Sequence, residues 1–380
     1  MYDDNITPGF GAGLWKIIRS VLMFFCALLL LYGVLSFAVS SIKEKLVDPV
    51  DISDNSEVSF VVNSGDSLSR VSTNLEKQKL IRSSSFFKYF ADFKGFGQKI
   101  QAGEYKLKRS MTLDDILDSL SSGDGKPIVR DITVIPGWTV EDIANYLVKE
   151  GVIASGDTFL SLCKGGEQFS AYYYVHDVLL SPDKNLRKYA LEGYLAPDTY
   201  EIYTNASEED IIKKLVSQTE AVYPAEYHER AEELKMSMDD IFTLASLIEK
   251  EAKTADFARV SAVFHNRLRQ NTSLGSDVTI KYVLGTKRMV LSKEDINIDS
   301  PYNSYKHRGL PPGPICNPSA NAIRAALYPD EQFIADNMMY FCSKNPDTGE
   351  LHFSKTLKEH EQAVKIYLPL WQAFDDKNNP

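Results

Sequence analysis

Hydrophobic and polar positions divide the chain into an apolar N-terminal stretch and a longer remainder with alternating patterns. Val21–Val39 is nineteen residues long and carries no charge, with Lys16 and Arg19 before it and Lys43 after it. At about 1.5 Å per residue, a helix of this length spans roughly 28 Å, close to the hydrocarbon thickness of a bilayer. We therefore expect a transmembrane anchor over residues 16–42, preceded by a short tail. A cleaved signal peptide is the alternative, although its apolar region is ordinarily only about 7–15 residues long.

Beyond a polar, acidic segment that is typical of a tether, residues 43–56, one pattern occurs twice at a shift of 72 residues. Phe60–Arg82 and Ile132–Ala154 each have the pattern of a short strand, a turn and a helix with apolar positions at i, i+3 and i+7. Ser67 and Thr139 occupy the position of the helix N-cap in the two copies. The repeat predicts two small βα units.

The first copy contains the pattern V-x-x-G-D-S-L-x-x-V, which resembles a LysM module, a small glycan-binding fold. Between the copies, Ala102–Leu107 and Met111–Leu117 have the pattern of another strand and a capped helix. We therefore expect LysM-like βα modules over residues 57–155. A βα packing unit without a ligand has the same pattern and is the competing interpretation.

A later helix places two glutamates at opposite edges of an apolar face. Ser237 with Asp240 is a capping-box start, and apolar residues at helical spacing continue to Ala252. At about 100° per residue, Glu249 and Glu251 each fall roughly 80° from the centre of that face, on opposite sides. A carboxyl group at such an edge is partly shielded from water, which favours its protonated form. An ordinary solvated helix flank is the competing interpretation.

Acidic, aromatic and amide side chains are concentrated in further stretches of the second half. Glu192–Tyr200 carries two acidic groups and two tyrosines around a proline, a composition that suits carbohydrate binding. Val263–Leu268 and Ser276–Tyr282 contain a histidine, an asparagine and an aspartate. Pro301–Pro318 holds five prolines, which are incompatible with a helix interior or a central strand. We expect this last segment to be a stiff functional loop.

Composition and charge narrow the classes of function. Charged residues make up 25% of the chain and apolar residues 44%, as in ordinary globular proteins. With 42 Lys and Arg against 52 Asp and Glu the net charge is −10, which argues against a nucleic acid partner. Cys26 lies in the apolar stretch, and no CxxC spacing joins the other three cysteines, so we expect no zinc site. One disulfide among Cys163, Cys316 and Cys342 stays open. No HExxH or GxSxG motif occurs, and no metal or organic cofactor is implied.

The motifs of the second half together resemble the YceG-like family, the MltG-type endolytic murein transglycosylases. The strongest are A-S-L-I-E-K-E at 245–251, S-P-Y-N-S-Y at 300–305 and G-L-P-P-G-P-I-x-N-P-S at 309–319, with H-F-S-K-T-L-K-E-H at 352–360. The similarity runs in order from about residue 57 to residue 370 and follows a single predicted membrane span, as it does in that family.

The resemblance implies a peptidoglycan lytic transglycosylase that cuts MurNAc–GlcNAc bonds within nascent glycan strands and so ends their elongation. It implies that Glu249, the first glutamate of the E-K-E pattern, is the catalytic acid. The family's Asp-Pro pair stands here as Asp277-Val278, so the acid is kept and the proline is not. The resemblance also implies a single-pass protein of the cell membrane, with its N-terminus in the cytoplasm and its catalytic domain outside, working beside peptidoglycan synthases.

A lytic reaction needs one acid/base group, because the C6 hydroxyl of MurNAc closes on C1 and gives a 1,6-anhydro product without water. The second carboxylate of ordinary glycosidases is not required. We predict Glu249 as the acid/base. Six residues are predicted to position the glycan or to stabilise the oxocarbenium-like state: Glu192, Asn266, Asp277, Tyr302, Asn303 and Asn317. One alternative is a muramidase in which Asp277 activates water, and another is a membrane-tethered, non-enzymatic peptidoglycan-binding protein.

The predicted fold class is α+β. It combines the transmembrane helix and the LysM-like modules with a mixed α+β catalytic domain over residues 156–372. The proline-rich loop is expected to wall the catalytic cleft, and residues 373–380 to form a C-terminal tail.

Overall fold

The structure is a computed structural model that describes residues 10–63, 66–96, 99–122, 129–204 and 206–378. Most of the predicted N-terminal tail and the last two residues of the C-terminal tail, 379–380, lie outside the described residues. The chain divides into two compact units, Met1–Val129 and Arg130–Pro380. Helices and small sheets make up both, so the predicted mixture of α and β structure is confirmed.

The first unit holds the first copy of the repeat. Its described elements are α1 (Phe10–Ile42), a π-helical turn (Lys43–Val47), β1 (Glu57–Val62), α2 (Leu68–Lys77), α3 (Ser84–Phe93), β2 (Gly103–Lys108) and α4 (Leu113–Ser121). Strands β1 and β2 pair antiparallel, with Phe60 opposite Tyr105. Alternate residues of both strands point into one apolar core, against which the three short helices pack.

Helix formation over the apolar N-terminal run is confirmed, because Val21–Val39 lies within the 33-residue helix α1. Among the residues whose placement is described, no helix combines the length and the apolar character needed to cross a bilayer.

The segment predicted as a tether is held against the first unit by two arginines. Arg82 donates from Nε to the carbonyl oxygen of Asp48 at 3.0 Å, and from Nη2 to those of Pro49 at 2.7 Å and Val50 at 3.1 Å. The Nη1 of Arg109 lies 2.8 Å from Oδ2 of Asp54. The backbone from residue 48 to residue 54 is therefore bound to the folded unit.

The second unit begins with β3 (Val129–Thr133), whose first residue closes the first unit, and contains most of the helices. Its other described elements, apart from short 3-10 turns, are α5 (Val140–Lys149), α6 (Asp157–Gly165), α7 (Tyr173–Leu180), β4 (Thr199–Tyr203), α8 (Glu208–Val222), α9 (Ala225–Glu233), α10 (Met238–Glu251), α11 (Phe257–Arg269), α12 (Asp277–Leu284), α13 (Lys293–Ile296), α14 (Ala320–Leu327), α15 (Glu331–Ala335), β5 (Tyr340–Asn345), β6 (Glu350–Ser354) and α16 (Leu357–Asn378). Strand β3 neighbours β4, and β5 pairs antiparallel with β6.

Two apolar clusters form the interior of this unit. One joins β3, α5, α6 and α8 and contains the second copy of the repeat. The other surrounds α10, whose residues Ile241, Leu244 and Ile248 are fully buried against α11 and α14. The proline-rich segment between α13 and α14 has neither helix nor strand, as its prolines predict.

Candidate active site

The helix that carries both glutamates begins and ends as its sequence predicts. The Ser237 side chain accepts from the Asp240 N–H at 3.0 Å, and the Asp240 carboxylate accepts from the Ser237 N–H at 2.8 Å. This capping box satisfies backbone donors that the first helical turn leaves unpaired. Helix α10 then runs to Glu251, and the two glutamates of its last turn reach different partners.

The carboxylate of Glu249 is fixed by Ser319, the N-cap residue of α14. Its Oε2 accepts hydrogen bonds from the Ser319 backbone N–H at 2.9 Å and from the Ser319 hydroxyl at 2.6 Å. The same hydroxyl oxygen accepts from the Ala322 N–H at 3.2 Å, so it also caps α14. The side chain is half-buried, and its Oε1 has no hydrogen-bond partner among the described residues. One oxygen of the acid is therefore oriented and the other is left available.

The turn that opens the second βα unit lies directly beside Glu249. Gly137 has φ +82°, a left-handed conformation that favours glycine, and a methyl group added there would lie 3.6 Å from Cγ of Glu249. Lys250 Nζ donates to the Gly137 carbonyl oxygen at 3.0 Å. The repeat copy in the second unit therefore forms one side of the candidate site.

Glu192 lies inside the protein behind this turn. It is 1% exposed, and its carboxyl group accepts from the Val140 N–H at 3.0 Å, at the first turn of α5, and from the Tyr282 hydroxyl at 3.2 Å. Burial raises the pKa of Glu192 to about 8, although these two hydrogen bonds and the nearby Lys188 oppose the rise. At neutral pH the group is a buried, predominantly protonated acid.

Asn317 joins three segments of chain with one amide. Its Oδ1 accepts from the N–H groups of Gly193 at 3.1 Å and Leu195 at 2.8 Å, and its Nδ2 donates to the Trp138 carbonyl at 3.0 Å and to Glu192 at 3.4 Å. A methyl group added to Gly193 would lie 2.4 Å from Pro314, so the proline-rich loop is pressed onto this turn. Two residues after Asn317 the same loop supplies Ser319 to Glu249.

Glu251 belongs to a second polar cluster on the other side of α10. The Ser276 hydroxyl donates to its Oε1, and the Tyr305 hydroxyl donates to Oδ1 of the neighbouring Asp277. Burial raises the pKa of Glu251 to about 7, and the charge of Asp277 adds to the rise. The structure thus places Asp277 beside Glu251, while Ser319 is the group bound to Glu249.

The other predicted residues are buried and hold loops. Both the Asn303 Nδ2–H groups donate to backbone carbonyls, those of Ile296 at 2.9 Å and Ile298 at 2.8 Å. Asn266 donates in the same way to Phe333 at 3.1 Å and Met338 at 2.9 Å. Each side chain is 0% exposed. These two amides therefore contact the protein backbone, where the sequence predicted contact with a glycan.

Tyr302 packs beside the buried acid. Its ring lies 5.2 Å from that of Tyr282, whose hydroxyl bonds to Glu192, and burial raises the pKa of Tyr302. The ring is 4% exposed, so in this structure its part is to wall the pocket that encloses Glu192. Glu192 is thus bonded directly to Asn317 and is linked to Tyr302 through Tyr282.

The sequence does not predict Ser319 and Tyr282 as partners of the two acids, because each lies far along the chain from the glutamate that it contacts. Ser319 lies 70 residues from Glu249, and Tyr282 lies 90 residues from Glu192. A faint signal was present, since Ser319 ends the proline-rich motif and also stands where a helix N-cap belongs. For Glu251 the sequence predicts only a position at the edge of the apolar face opposite to Glu249. It does not predict the hydrogen bond between its carboxyl group and Ser276.

The cysteines are all free thiols, and Cys163, Cys316 and Cys342 are buried. The disulfide that the sequence left open is not formed. Among the described residues, no group of three or more His, Cys, Asp and Glu side chains converges in a way that could hold a metal ion.

Comparisons with known proteins agree on one family. The YceG-like family matches residues 60–366. An endolytic murein transglycosylase of Bacillus subtilis is 37% identical over 335 residues, which cover 86% of this chain and 89% of that protein. One of Streptococcus pneumoniae serotype 2 is 30% identical over 339 residues, or 83% of this chain and 59% of that protein. A crystal structure of a yceG-like protein from Listeria monocytogenes matches with a TM-score of 0.56 and 32% identity, over 80% of this chain and 98% of the other.

Proposed function

The chain belongs to the YceG-like family, and we propose that it cleaves the glycan strands of peptidoglycan as an endolytic transglycosylase. Two relatives that bear this name, with at least 30% identity over more than four fifths of the chain, support the activity. The enzyme is a lytic transglycosylase of the bacterial cell wall.

We place the chemistry at Glu249. The observation that carries this is the geometry of its carboxyl group, half-buried at the end of α10, with Oε2 held by two hydrogen bonds from Ser319 and Oε1 without a partner among the described residues. An acid held in one orientation needs little reorganisation when the reaction begins. The free oxygen is the one that reaches the substrate.

The reaction uses this one group twice. Protonated Glu249 gives its proton to the glycosidic oxygen as the bond from that oxygen to C1 of MurNAc breaks. The resulting carboxylate then takes the proton of the MurNAc C6 hydroxyl as its oxygen bonds to C1. The product carries a 1,6-anhydro ring, and Glu249 ends the cycle protonated, so neither water nor a second carboxylate is consumed.

The buried residues around Glu249 act as positioning groups. Asn317 ties the loop that carries Ser319 to the turns at Trp138 and Gly193, and Glu192 fixes the N-terminus of α5 behind the same turn. Together they keep the partners of the acid in place. Asp277 and Glu251 belong to the separate polar cluster on the other side of α10.

The decisive experiment compares Glu249→Gln with Glu251→Gln on purified sacculi. The amide at position 249 keeps the shape and the Ser319 contacts but carries no transferable proton, so release of anhydro-muropeptides should cease. Glu251→Gln is the matched control, two residues along the same helix, and should keep most of the activity. The reverse outcome would move the acid to Glu251.

Mass spectrometry of the released fragments decides between the transglycosylase and a muramidase. An anhydro end is lighter than a reducing end by one water. Reducing ends from the wild-type enzyme would contradict the intramolecular step and would favour a water-activating carboxylate such as Asp277.

The same proposal covers the cellular setting. The uncharged run within α1 supports anchoring in the cell membrane by one span, with the N-terminus in the cytoplasm and the catalytic unit outside, beside the peptidoglycan synthases. The LysM-like pattern supports glycan contact by residues 57–155. Fractionation of cells, followed by protease treatment of intact spheroplasts, tests the orientation, since only an external catalytic unit would be digested.

A further inference from the structure

A cavity of about 1050 Å³ opens at the end of α10 opposite to Glu249. Residues of the first α10 turn line it, including Asp239, while Glu249 does not. Ten residues of helix separate the two positions, which is about 15 Å at 1.5 Å per residue. The volume is large enough for a drug-sized ligand. The cavity is therefore separate from the candidate catalytic site and within reach of the same substrate.

We propose that this cavity binds the short peptide attached to the glycan strand, and this inference rests on the proposed function. Peptidoglycan strands carry stem peptides on their MurNAc sugars, and these peptides supply carboxylates, methyl side chains and an amine. The sugars themselves carry neither the peptide carboxylates nor the amine. A stem peptide docked here would hold the strand while the neighbouring glycosidic bond lies at Glu249.

Cationic groups line one part of the cavity. Arg230 and Arg269 both lie near the ring of His265, and their charges join burial in lowering the pKa of that histidine. Arg269 is exposed, and among the described residues only its Nη2 has a partner, the Oδ1 of Asn266 at 2.6 Å. The remaining N–H groups of Arg269 can bind a carboxylate in the forked geometry that guanidinium groups favour.

Anionic and apolar groups complete a surface that matches a peptide. Asp183 and Glu331 are exposed lining residues, and no partner of either carboxylate is found among the described residues. Asp239, by contrast, is already bound to Arg187 and Tyr194. The carboxylates of Asp183 and Glu331 are therefore available to bind an ammonium group.

The apolar part of the wall disfavours a sugar as the occupant. Leu310, Pro311 and Ile334 present aliphatic carbon, which suits alanine methyl groups. Tyr328 is the single Phe, Tyr or Trp residue among the described lining residues, and the guanidinium of Arg230 lies 5.4 Å from its ring centre. A cation therefore already lies over one face of this ring.

One loop connects the cavity to the catalytic acid. Pro311 and Pro312 line the cavity, the Ile315 N–H donates to the Ser246 hydroxyl on α10 at 3.0 Å, and Ser319 binds Glu249. Eight residues rich in proline therefore reach from the proposed peptide contact to the partner of the acid. A peptide seated against the first part of this stiff loop fixes the strand relative to the second part.

The test measures cleavage by the full-length enzyme of two substrates, glycan strands with stem peptides and the same strands stripped by an amidase. Wild type should prefer the strands that carry peptides. Arg269→Ala should lower kcat/KM at least ten-fold on those strands and leave it unchanged on stripped strands, because a lost charge-assisted hydrogen bond is worth about one factor of ten or more. Arg288→Ala, an exposed arginine paired with Asp295 outside the cavity, is the matched control.

Two further measurements keep the inference separate from folding and from the proposed function. Ala335→Trp fills the cavity from an exposed lining position and should reproduce the effect of Arg269→Ala without touching Asn266. Free tetrapeptide L-Ala-γ-D-Glu-L-Lys-D-Ala should bind wild type by calorimetry and bind both variants at least ten-fold more weakly. Equal cleavage of both substrates by wild type, or no tetrapeptide binding, overturns the peptide site alone. Cleavage of neither substrate overturns the proposed function.

Discussion

Replacing Glu192 by glutamine should remove a pH dependence of stability that the buried acid creates. Its pKa lies at about 8 in the folded protein against an ordinary value of 4.5, because burial disfavours the charged form. Between these two values the unfolded chain has released the proton and the folded chain still holds it. The folded state binds more protons, so the free energy of unfolding of the wild type falls as pH rises through this window and levels off above about pH 8.

The magnitude follows from the width of the window. Each unit of pH within it is worth about 1.4 kcal/mol, so the contribution of Glu192 should fall by about 3 kcal/mol between pH 5.5 and pH 8. Glu192→Gln is neutral throughout and keeps an oxygen for the Val140 N–H, while the Tyr282 hydroxyl can turn to accept from the new amide. The stability advantage of the variant over wild type should therefore be about 3 kcal/mol larger at pH 8 than at pH 5.5.

Urea unfolding at several pH values measures this difference directly. Glu226→Gln, at an exposed position in the first turn of α9, is the matched control and should give a curve parallel to wild type. Glu192→Ala should be less stable than Glu192→Gln at every pH, because the Val140 N–H then loses its partner. Parallel curves for Glu192→Gln and wild type would refute the reasoning, since they would show that Glu192 has an ordinary proton affinity in the folded protein.

Three other changes test the surroundings of the acid and the first unit. Ser319→Ala removes the hydroxyl that both caps α14 and orients Glu249, so we expect a loss of about 1 kcal/mol in unfolding free energy and a ten- to hundred-fold fall in kcat at constant KM. Unchanged kcat would show that this hydrogen bond does not orient the acid. Gly193→Ala places a methyl group against Pro314 at φ +91° and should destabilise the protein by about 2 kcal/mol or more in thermal unfolding, whereas Gly285→Ala, at positive φ in open space, should cost about 1 kcal/mol. Arg82→Ala frees the carbonyls of residues 48–50 and should speed proteolysis within residues 48–56, with Lys77→Ala as a control that leaves the rate unchanged.

Local chemistry made much of the fold predictable. The capping boxes at Thr139 and Ser237 require only residues three positions apart, so their signals lie within a few letters of sequence. The opposite directions of Glu249 and Glu251 follow from helical spacing alone, and the structure confirms them through Ser319 on one side and Ser276 on the other. Capping boxes and helical spacing can be predicted because tertiary contacts rarely change them.

The roles of the polar residues could not be predicted in the same way. An asparagine in a functional-looking motif can bind a ligand or a backbone carbonyl, and its neighbours in sequence do not decide which. For Asn303 the nearby carbonyls of residues 296 and 298 occupy the amide, and for Asn317 the partners lie more than 100 residues away. The raised pKa of Glu192 likewise depends on how completely its carboxyl group is buried. That burial exists only after α5, α12 and the proline-rich loop have packed around it.

The hydrogen bonds from Arg82 to three successive carbonyls limit the distance between the first βα module and the end of α1. If residues 43–56 formed a flexible linker, its r.m.s. end-to-end distance would be roughly 20 Å by the usual scaling for a flexible chain. Because Arg82 binds the carbonyls of residues 48–50, most of that linker is not free to move. The folded structure of this unit, and not a flexible linker, therefore sets the distance between the module and the end of α1.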